Sequence, residues 1–491
     1  MSSTSAEPRP RVFDRQMVLV ASVTVLGSLI VIFDTTIVHV AVPSLVRGFD
    51  TSLSTVQWVS TAYLLALACV VPLTRWANDR FGLKRSWIAS MSMFLLGSLL
   101  CGLADSMPLL IAARVVQGLG GGMLLPTGQS ILARHAGPAR LARVMAIVGI
   151  PAMLGPLLGP ILGGLILSSF SWRWIFIVNL PVGAVALALA AVVLRRGELG
   201  ESRQIDVVGL CLLPPGLALL VYSITDFGST TAVTAPVAVS GGLGVALLAG
   251  FAFHALRTDH PLLDLRLLKN RAFRAAGSSM FLYLAGTNAI LFLIQLYYQF
   301  ARGASALRSA VLVAPSALGA MLVLLVAGRL LERFGARAIV LSGLAMVALG
   351  VLPLVFVGPD TSELWLSAAW FVRGVGVGAA ATTLTTASYL TLRSKDIPNA
   401  STLISINQYV SGALGTAVVA VLLQHQLDDV TQGRGLDALA ELDSAALTEL
   451  GAPLAHAFGT LSWLPVALTV LAVLPALRLP GRSDAVTRST P

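Results

Sequence analysis

Charge and cysteine are both scarce in this sequence. Charged residues make up 11% of its 491 residues and apolar residues 56%, whereas an ordinary soluble protein has roughly 25% charged residues. This composition indicates a polytopic membrane protein. The three cysteines, Cys69, Cys101 and Cys211, all lie in apolar segments without metal-ligand spacing, so we expect neither a disulfide framework nor a metal site.

Motifs for nucleotide binding and for catalysis are missing as well. The sequence contains no GxxxxGK[ST] stretch, so we do not expect direct drive by ATP. No His/Asp/Glu cluster and no Ser/His/Asp arrangement converges at one face of the membrane, which argues against a membrane-embedded enzyme. We therefore expect no catalytic residue and no cofactor.

Long apolar runs, in contrast, are abundant. Fourteen of them approach the 20 residues that span a bilayer as a helix. The first is too long for a signal-peptide core, so we expect it to be retained as a span. The predicted layout is a tail at 1–16, a six-helix bundle at 17–194, a linker with two inserted helices at 195–256, five helices of a second bundle at 257–423, an outside loop at 424–457, the last helix at 458–477 and a tail at 478–491.

Positive charge alternates between the loops. Of the 33 lysines and arginines, 26 lie in the two tails and in every second loop, and only five lie in the intervening loops. The positive-inside rule assigns the first set to the cytoplasm. Both termini are then cytoplasmic, which requires an even number of spans. The net charge of +10 thus indicates orientation in an anionic membrane, with no nucleic-acid partner.

One long loop on the predicted outside, 424–457, carries six acids against a single arginine, Arg434. Its leucine spacing allows a short amphipathic helix. The loop is either a solvated acidic segment or a vestibule that gathers cations.

Two motifs recur in the second half of the chain. The sequence DRFGLKR at 79–85 is echoed by ERFGAR at 332–337, 253 positions later, and the run that begins at Arg114 is echoed at Arg373, 259 positions later. Two echoes at nearly one offset pair spans 1–6 with spans 9–14 in the same orientation and leave spans 7 and 8 as an insertion. Parallel repeats of this kind form transporters whose binding site lies between the halves at mid-membrane.

The stretch GIPAMLGPLLGPILGG at 149–164 is rich in glycine and proline, yet apolar enough for a bilayer. Glycines spaced four apart share one helix face, across which another helix can approach closely, and the prolines favour a kink. The segment is either a plain packing helix or a bent helix at a functional seam. Its candidate residues are Gly149, Pro151, Gly155, Pro156, Gly159, Pro160 and Gly163.

Asp34 is the acid that we place well inside a span. An ionised acid there costs roughly 2.5–3.5 kcal/mol on insertion scales, so it needs a partner, water or a proton. We place Asp34 about six residues before the outer end of span 1 and Arg114 about six residues after the outer start of span 4. At 1.5 Å per residue, both lie on the order of 9 Å below the surface. The two form either a structural ion pair or a site of proton exchange.

These motifs resemble those of the major facilitator superfamily, and within it the branch of fourteen-helix drug:proton antiporters. The resembling segments cover nearly the whole chain. They are the loop 75–85, the helix-4 motif with Arg114, Gln117, Gly118 and Gly120, the antiporter motif 149–164, and the first-span motif FDTTIVHVAVP at 33–43 followed by Trp58 and Tyr63. The sequence departs from the family pattern where Arg75 replaces a glycine, His39 an asparagine and Leu83 a base.

The resemblance implies a proton-coupled exporter that works by alternating access. It implies Asp34 as the protonation site and Arg114 as the residue that tunes it. Asp226, at the outer end of span 7, is a further candidate for proton coupling, or an interfacial acid. His39 lies near the outer boundary and is predicted to be interfacial, with a proton relay as the alternative.

Two more groups of polar residues are candidates for function. An acid among bases, such as Asp79, either caps a helix or pairs across the halves, and we hypothesise that it stabilises the outward-facing state. The predicted gate residues are Asp79, Arg80, Arg85, Glu332 and Arg333. Polar side chains inside spans tend to face protein or water, and the predicted cavity residues are Tyr63, Asn179, Asn288, Gln295, Tyr298, Arg373, Asn407 and Gln408.

The predicted function is proton-coupled efflux of lipophilic or cationic drugs, with antibiotic resistance as its outcome, by a monomer in the plasma (inner) membrane. The expected partners are a small-molecule substrate, protons and the lipid bilayer. Three alternatives stay open: export of a metabolite, a lipid or a self-made antibiotic; import on the same scaffold; and a membrane-embedded sensor or scaffold that transports nothing.

Overall fold

The computed structural model describes residues 15–136, 155, 158–194, 205–230, 234–259, 261–358, 361–389, 392, 396–430 and 450–480. Helices joined by short connections make up these segments, and no strand occurs among them. The tails, the residues 137–154 and most of the predicted outside loop lie beyond the described part of the chain.

The first half of the chain contains eight described helices. They are α1 (Arg15–Phe49), α2 (Leu53–Val70), α3 (Leu73–Phe81), α4 (Leu83–Leu103), α5 (Met107–Ala136), α6 (Leu158–Ser169), α7 (Trp174–Ile177) and α8 (Asn179–Val193). Ser52 begins α2 by accepting a hydrogen bond from the Thr55 N–H at 3.2 Å, which satisfies one of the free donors at a helix start.

The inserted helices and the second half follow. They are α9 (Val207–Thr230), α10 (Ala235–Arg257), α11 (Arg271–Leu296), α12 (Ala306–Val355), α13 (Glu363–Tyr389), α14 (Ile397–Val430), α15 (Gly451–Leu461) and α16 (Trp463–Ala476). A 3₁₀ turn at Leu265–Lys269 precedes α11, and a π-helical turn at Tyr297–Ala301 extends it. Thr234, Asn270 and Ser305 cap α10, α11 and α12 in the same way as Ser52 caps α2.

Twelve of the described helical segments are long and apolar enough to cross a membrane. The pair α2 and α3, bent by 56° at their junction, supplies a thirteenth. Helix α6 is apolar but shorter, and most of the residues just before it are outside the described set. The prediction of an all-helical, multi-pass fold is confirmed, while the count of fourteen spans stays a prediction.

The repeated sequence motif corresponds to a repeated backbone geometry. Gly82 joins α3 to α4 at φ 80°, and Gly335 joins the two parts of α12 at φ 78°. Both lie in the left-handed region, where a residue with a Cβ is strained. The two glycines are 253 positions apart, as are the motifs that contain them. The echo therefore marks the same sharp turn in each half.

The largest hydrophobic core of the described residues joins the two halves at one end of the bundle. Near Trp172 a single core contains Phe176 from the first half together with Leu293 and Phe458 from the second. At the opposite end, where Asp79 lies, each half has a separate core. We call these the Trp172 end and the Asp79 end. The halves are therefore closed against each other at the first and parted at the second.

The inserted helices lie beside the seam between the halves. Residues of α9 and α10 pack against Leu65 of α2 and Val410 of α14 in one apolar cluster. Helix α9 thus contacts a helix of each half at once, and the inserted pair covers one flank of the seam.

Asp206 anchors the inserted pair at the Asp79 end. Its carboxylate accepts hydrogen bonds from the Gly209 N–H at 2.8 Å, from the Leu262 N–H at 2.8 Å and from His254 Nε2 at 2.7 Å. Burial by itself raises the pKa of Asp206, but the bonds from Gly209, Leu262 and His254 outweigh it, so the pKa is lowered. One side chain thereby connects the start of α9, the end of α10 and the segment before α11.

Candidate functional site

A buried ion pair joins α1 to α5 in the first half. Arg114 Nη1 donates to Asp34 Oδ2 at 2.5 Å, and both side chains are at most 1% exposed. Helix α1 runs on to Phe49, well past the end that the sequence placed about six residues after Asp34, because Pro43 is accommodated inside the helix. The structure nevertheless brings together the two residues that the sequence placed at one depth.

The guanidinium of Arg114 is held on several sides. Its Nε donates to the carbonyl of Val59 at 2.8 Å, and Nη1 also donates to Gln117 Oε1 at 2.7 Å. The ring of Tyr63 covers its face at 3.9 Å from the guanidinium carbon. A cation over an aromatic face gains electrostatic stabilisation, and more so where water is excluded. Arg114 therefore has three contacts besides Asp34 that hold its guanidinium.

The second oxygen of Asp34 is also occupied. Oδ1 accepts from Gln117 Nε2 at 2.8 Å and from Asn179 Nδ2 at 3.3 Å. Behind them, Ser98 Oγ accepts from Gln117 at 3.1 Å and from Asn179 at 3.0 Å, and it donates to the carbonyl of Phe176 at 2.8 Å. Donors directed at a carboxylate favour its charged form. The network thus directs hydrogen-bond donors at both oxygens of Asp34 in a site without exposed surface.

The sequence did not identify two members of this network. Gln117 was noted only as part of the helix-4 motif, although its position three residues after Arg114 puts both on one face of α5. Ser98 is a small polar residue in an apolar helix and gave no signal at all. Asn179 was predicted to line the cavity; the structure places it at Asp34 instead.

The glycine-rich helix packs against the same helix that carries Asp34. A Cβ added at Gly155, Gly159 or Gly163 would overlap Ile32, Thr36 or Ile37 of α1, respectively. Thr36 Oγ1 also donates to the carbonyl of Gly155 at 3.2 Å. Only glycine permits this approach, so α1 and α6 are in contact along their backbones.

The glycine face is continuous with a contact between the halves. A Cβ at Gly164 would overlap the backbone of Leu307, at the start of α12. Pro160 is buried in α6. Gly149, Pro151 and Pro156, the other candidates of this stretch, lie outside the described residues.

A cavity of about 720 Å³ lies at the Asp79 end. Its walls come from the first half, from the segments next to the inserted helices and from α14 of the second half. Asp79, Asp206, Asp259 and Asp264 contribute acids, Arg75 and Arg134 contribute bases, and Trp76, Leu125 and Tyr409 contribute apolar surface. The cavity therefore separates the halves where their cores are separate.

None of the eight predicted cavity residues is among those that line this space. Tyr63 and Asn179 belong to the Asp34 network. Gln295 accepts from Ser309 Oγ at 2.9 Å, which joins α11 to α12. Asn407 donates to the carbonyl of Gly277 at 3.0 Å, which joins α14 to α11.

The other four predicted cavity residues belong to the second half. Asn288 donates to the carbonyl of Leu284 in its own helix at 2.9 Å. Tyr298 is fully buried, and its hydroxyl has no hydrogen-bond partner among the described residues. Gln408 is exposed on α14, and Arg373 is buried in α13. Their role as substrate contacts stays a prediction.

The predicted gate residues lie apart from the ion pair. Asp79 Oδ2 is 3.9 Å from Arg75 Nε in the same helix, and both groups are partly exposed. Arg80, Arg85 and Arg333 are exposed at the same end of the bundle. Glu332 lies in α12, but its side chain is outside the described set.

Two further candidates lie in α1 and α9. His39 is half-buried, and its Nδ1 atom has no hydrogen-bond partner among the described residues. Asp226 is half-buried near the end of α9 and has an interaction of its own. Neither residue donates to or accepts from Asp34 in the described contacts.

Two repeated helical halves, closed at one end and parted by a cavity at the other, define a multi-pass membrane carrier. The sequence profile of the Major Facilitator Superfamily matches residues 24–416, and the chain belongs to this superfamily. It is a transporter and not an enzyme.

Named relatives share much of the chain. The "Multidrug resistance protein B homolog" of Mycobacterium tuberculosis is 39% identical over 502 residues, which covers 98% of this chain and 93% of that protein. The "Putative multidrug resistance protein MdtD" of Serratia proteamaculans is 31% identical over 396 residues, which covers 79% of this chain and 82% of that protein.

Solved structures are similar in fold. The D-xylose-proton symporter aligns with a TM-score of 0.65 at 14% identity, covering 95% of this chain and 99% of that one. A bacterial homologue of the human lysosomal transporter Spinster, inward-facing and unoccupied, aligns with a TM-score of 0.64 at 17% identity, covering 95% of this chain and 96% of that one. At such identities the likeness establishes the fold alone.

Proposed function

We propose that the protein exports lipophilic or cationic drugs across the plasma membrane by alternating access, in exchange for protons that bind Asp34. The observation that carries this proposal is the buried ion pair of Asp34 and Arg114, whose charge is held by hydrogen bonds in a site without exposed surface. Multidrug resistance, the activity in the names of both relatives, supports drugs as the cargo.

The charge distribution supports an orientation with the Asp79 end in the cytoplasm. The loops at that end contain most of the basic residues, as the positive-inside rule requires of cytoplasmic loops. Both termini are then inside, and the cavity faces the cytoplasm. In this orientation the structure corresponds to the state that takes up cargo before export.

The walls of the cavity suit a cationic and partly apolar cargo. Four aspartates outnumber the two arginines that share the walls with them. Trp76 and Tyr409 supply aromatic faces, which bind flat or cationic molecules. A cargo with a net negative charge would meet more acids than bases on entry.

Protonation of Asp34 changes the network at one atom. A neutral carboxylic acid loses the charge-assisted bond to Arg114, while Val59, Gln117 and Tyr63 continue to hold the guanidinium. The attachment of α1 to α5 is thereby weakened, although Gln117 still reaches the other oxygen of Asp34. Because α1 contacts the glycine face of α6, and α6 contacts Leu307 across the seam, a shift of α1 reaches the closed end of the bundle.

The proton gradient supplies enough free energy for this exchange. One pH unit is worth about 1.36 kcal/mol per proton, and 100 mV is worth about 2.3 kcal/mol per charge. Together they sustain a cargo gradient of a few hundredfold per proton. We further propose that the transporter acts as a monomer with the proton as its coupling ion and without a cofactor.

Proton release tests the proposal directly. Purified transporter in lightly buffered detergent receives tetraphenylphosphonium, a lipophilic cation, at several pH values between 5 and 8. We expect release in the wild type and its loss in Asp34→Asn, with Asp226→Asn as the matched control. Release that persists in Asp34→Asn and disappears in Asp226→Asn would move the coupling site to α9 and refute the role of Asp34.

Asp79 has a proposed role in the opposite half of the cycle. In the structure it faces Arg75 of its own helix, and in the outward-facing state we propose that it pairs across the halves. Asp79→Asn should then lower the rate of transport by several-fold while membrane insertion stays normal. Unchanged kinetics in vesicles would contradict this role.

A further inference from the structure

The second half contains a buried arginine at the position that corresponds to Arg114. Arg373 lies 259 positions after Arg114, in the echoed glycine-rich motif. Its side chain is buried, with 2% of the residue exposed. Gly350 of α12 and Gly374 of α13 allow these two helices to pack closely at the backbone of Arg373. The two halves thus bury one arginine each.

The partners of Arg373 are all neutral. Its Nη1 donates to Ser316 Oγ at 3.0 Å, and its Nη2 donates to the carbonyl of Thr287 at 3.5 Å. The guanidinium carbon lies 4.6 Å from the ring centroid of Trp370. Within the described residues no aspartate or glutamate forms an ion pair with Arg373. The positive charge is therefore solvated by dipoles and a ring alone.

Two hydrogen-bond donors at this charge have no acceptor. Arg373 Nε and Trp370 Nε1 are buried and have no hydrogen-bond partner among the described residues. One belongs to the guanidinium and the other to the ring that lies against it. Buried donors normally have acceptors, because burial without one is costly. A buried cation with unsatisfied donors beside it is an environment that suits an anion.

The single positive charge of Arg373 indicates how many negative charges such an anion would carry. A single negative charge neutralises Arg373, whereas a divalent anion would leave a net negative charge buried in apolar surroundings. The guanidinium fork and the neighbouring indole N–H of Trp370 suit a halide or a carboxylate oxygen.

The site lies directly behind the seam between the halves. Thr287 is followed by Asn288, which lies beside Gly412 of α14, and Leu64 of the first half reaches the same glycine. A rearrangement of the seam during alternating access therefore reaches the residue that contacts Arg373. An anion can enter when the halves move.

We propose that Arg373, with Trp370, Thr287 and Ser316, forms a binding site for one monovalent anion, either a free halide or the carboxylate of an amphoteric cargo. The site is independent of proton coupling at Asp34 and stands whether or not the drug-export proposal holds.

Iodide quenching of tryptophan fluorescence tests the site without a transport assay. Iodide is a halide, and Trp370 lies against the guanidinium. Binding of iodide should therefore add a saturable component to the fluorescence quenching. Its amplitude should correspond to about one of the eight tryptophans of the chain. We expect this component to be lost in Arg373→Gln and in Trp370→Phe, and to be weakened at least tenfold in Arg373→Lys. Arg308→Gln, at an arginine whose side chain is 64% exposed, should retain it.

Competition separates the two sources of the anion. Chloride that displaces iodide, with benzoate no better, identifies a free-ion site, and benzoate at least tenfold better than chloride identifies a carboxylate site. Quenching that stays linear in iodide in the wild type overturns the proposal, as does a saturable component that survives in Trp370→Phe. If Arg373→Gln does not fold, Ser316→Ala serves in its place and should weaken the component.

Discussion

Each half of this transporter buries an arginine at a corresponding position, but the residues around the two arginines differ. In the first half Arg114 faces the carboxylate of Asp34, with Gln117 and Asn179 completing the shell of that acid. In the second half Arg373 faces Ser316 and the carbonyl of Thr287. Thr287 lies 253 positions after Asp34, the offset that also separates Gly82 from Gly335.

This difference shows which structural features the two repeats share and which differ between them. The backbone frame, with its glycine turn and closely packed arginine helix, is common to both halves. The charge opposite the arginine is not. One half therefore contains a buried acid–base pair, and the other contains a buried arginine without an acid partner among the described residues.

The largest expected difference between the halves is the loss of stability when the arginine of each half is removed. Arg114→Gln leaves Asp34 buried and unpaired, which costs about 3–5 kcal/mol of stability and abolishes proton-coupled efflux. Arg373→Gln removes an unpaired buried cation and should cost far less, about 1 kcal/mol. Thermal unfolding of the two purified variants measures the difference.

A second substitution controls this comparison. Asp34→Asn in the Arg114→Gln background should restore most of the lost stability, because no unpaired charge remains. Equal destabilisation by Arg114→Gln and Arg373→Gln would show that the two arginines have the same structural role, and the comparison would fail.

Introducing an acid beside Arg373 should make the surroundings of this arginine resemble those of Arg114. Thr287→Asp places a carboxylate at the position that corresponds to Asp34, next to Arg373. We expect the saturable iodide quenching to weaken at least tenfold, since the arginine is then neutralised from within. Thr287→Asn, which is as large as the aspartate but neutral, is the control and should weaken iodide binding much less than Thr287→Asp does. Unchanged iodide binding in the aspartate variant would contradict the assignment of the site.

The glycines on the face of α6 that contacts α1 should tolerate an added side chain less well than glycines elsewhere. A Cβ at Gly159 would overlap Thr36 of α1, so Gly159→Ala must separate the helix that carries Asp34 from α6. We expect roughly tenfold slower transport in reconstituted vesicles, because close contact between α1 and α6 is lost.

Gly277 in α11 is the matched control for that substitution. A Cβ added there meets nothing within 4 Å, and Gly277→Ala should leave transport unchanged. If Gly159→Ala were equally silent, contact between α1 and α6 would not be part of the transport cycle.

The smallest effect should come from the inserted helices, which contact both halves and belong to neither. Asp206 lies outside the spans, and its lowered pKa means that its charged form stabilises the fold. This contribution is present above the usual carboxyl pKa of about 3.9 and is lost as the pH falls through the lower value in the folded protein.

Asp206→Asn should therefore lower the unfolding midpoint by a few degrees at pH 7. The deficit should persist at pH 5 and shrink only below the usual carboxyl pKa. A deficit that has already disappeared at pH 5 would contradict the stabilising role of the charged Asp206 carboxylate.

Much of the architecture follows from local features of the sequence. Apolar runs predict helical spans because each span satisfies its own backbone hydrogen bonds in lipid. The motifs at Asp79 and Glu332 predict the repeat because each specifies a turn with glycine at positive φ. The glycine spacing at 155, 159 and 163 predicts a close helix contact, which the structure shows against α1.

What the sequence by itself determined was the helical membrane class, the repeat, and an acid in the first span with an arginine in a later span as its candidate partner. Only the tertiary structure decided which side chains complete the shell of Asp34, that Arg373 has no acid beside it in the described residues, and which end of the bundle is closed. The physical reason is that helix formation in lipid depends on near neighbours along the chain. The state of a buried charge depends on groups from five helices that are as far apart in sequence as Asp34 and Asn179.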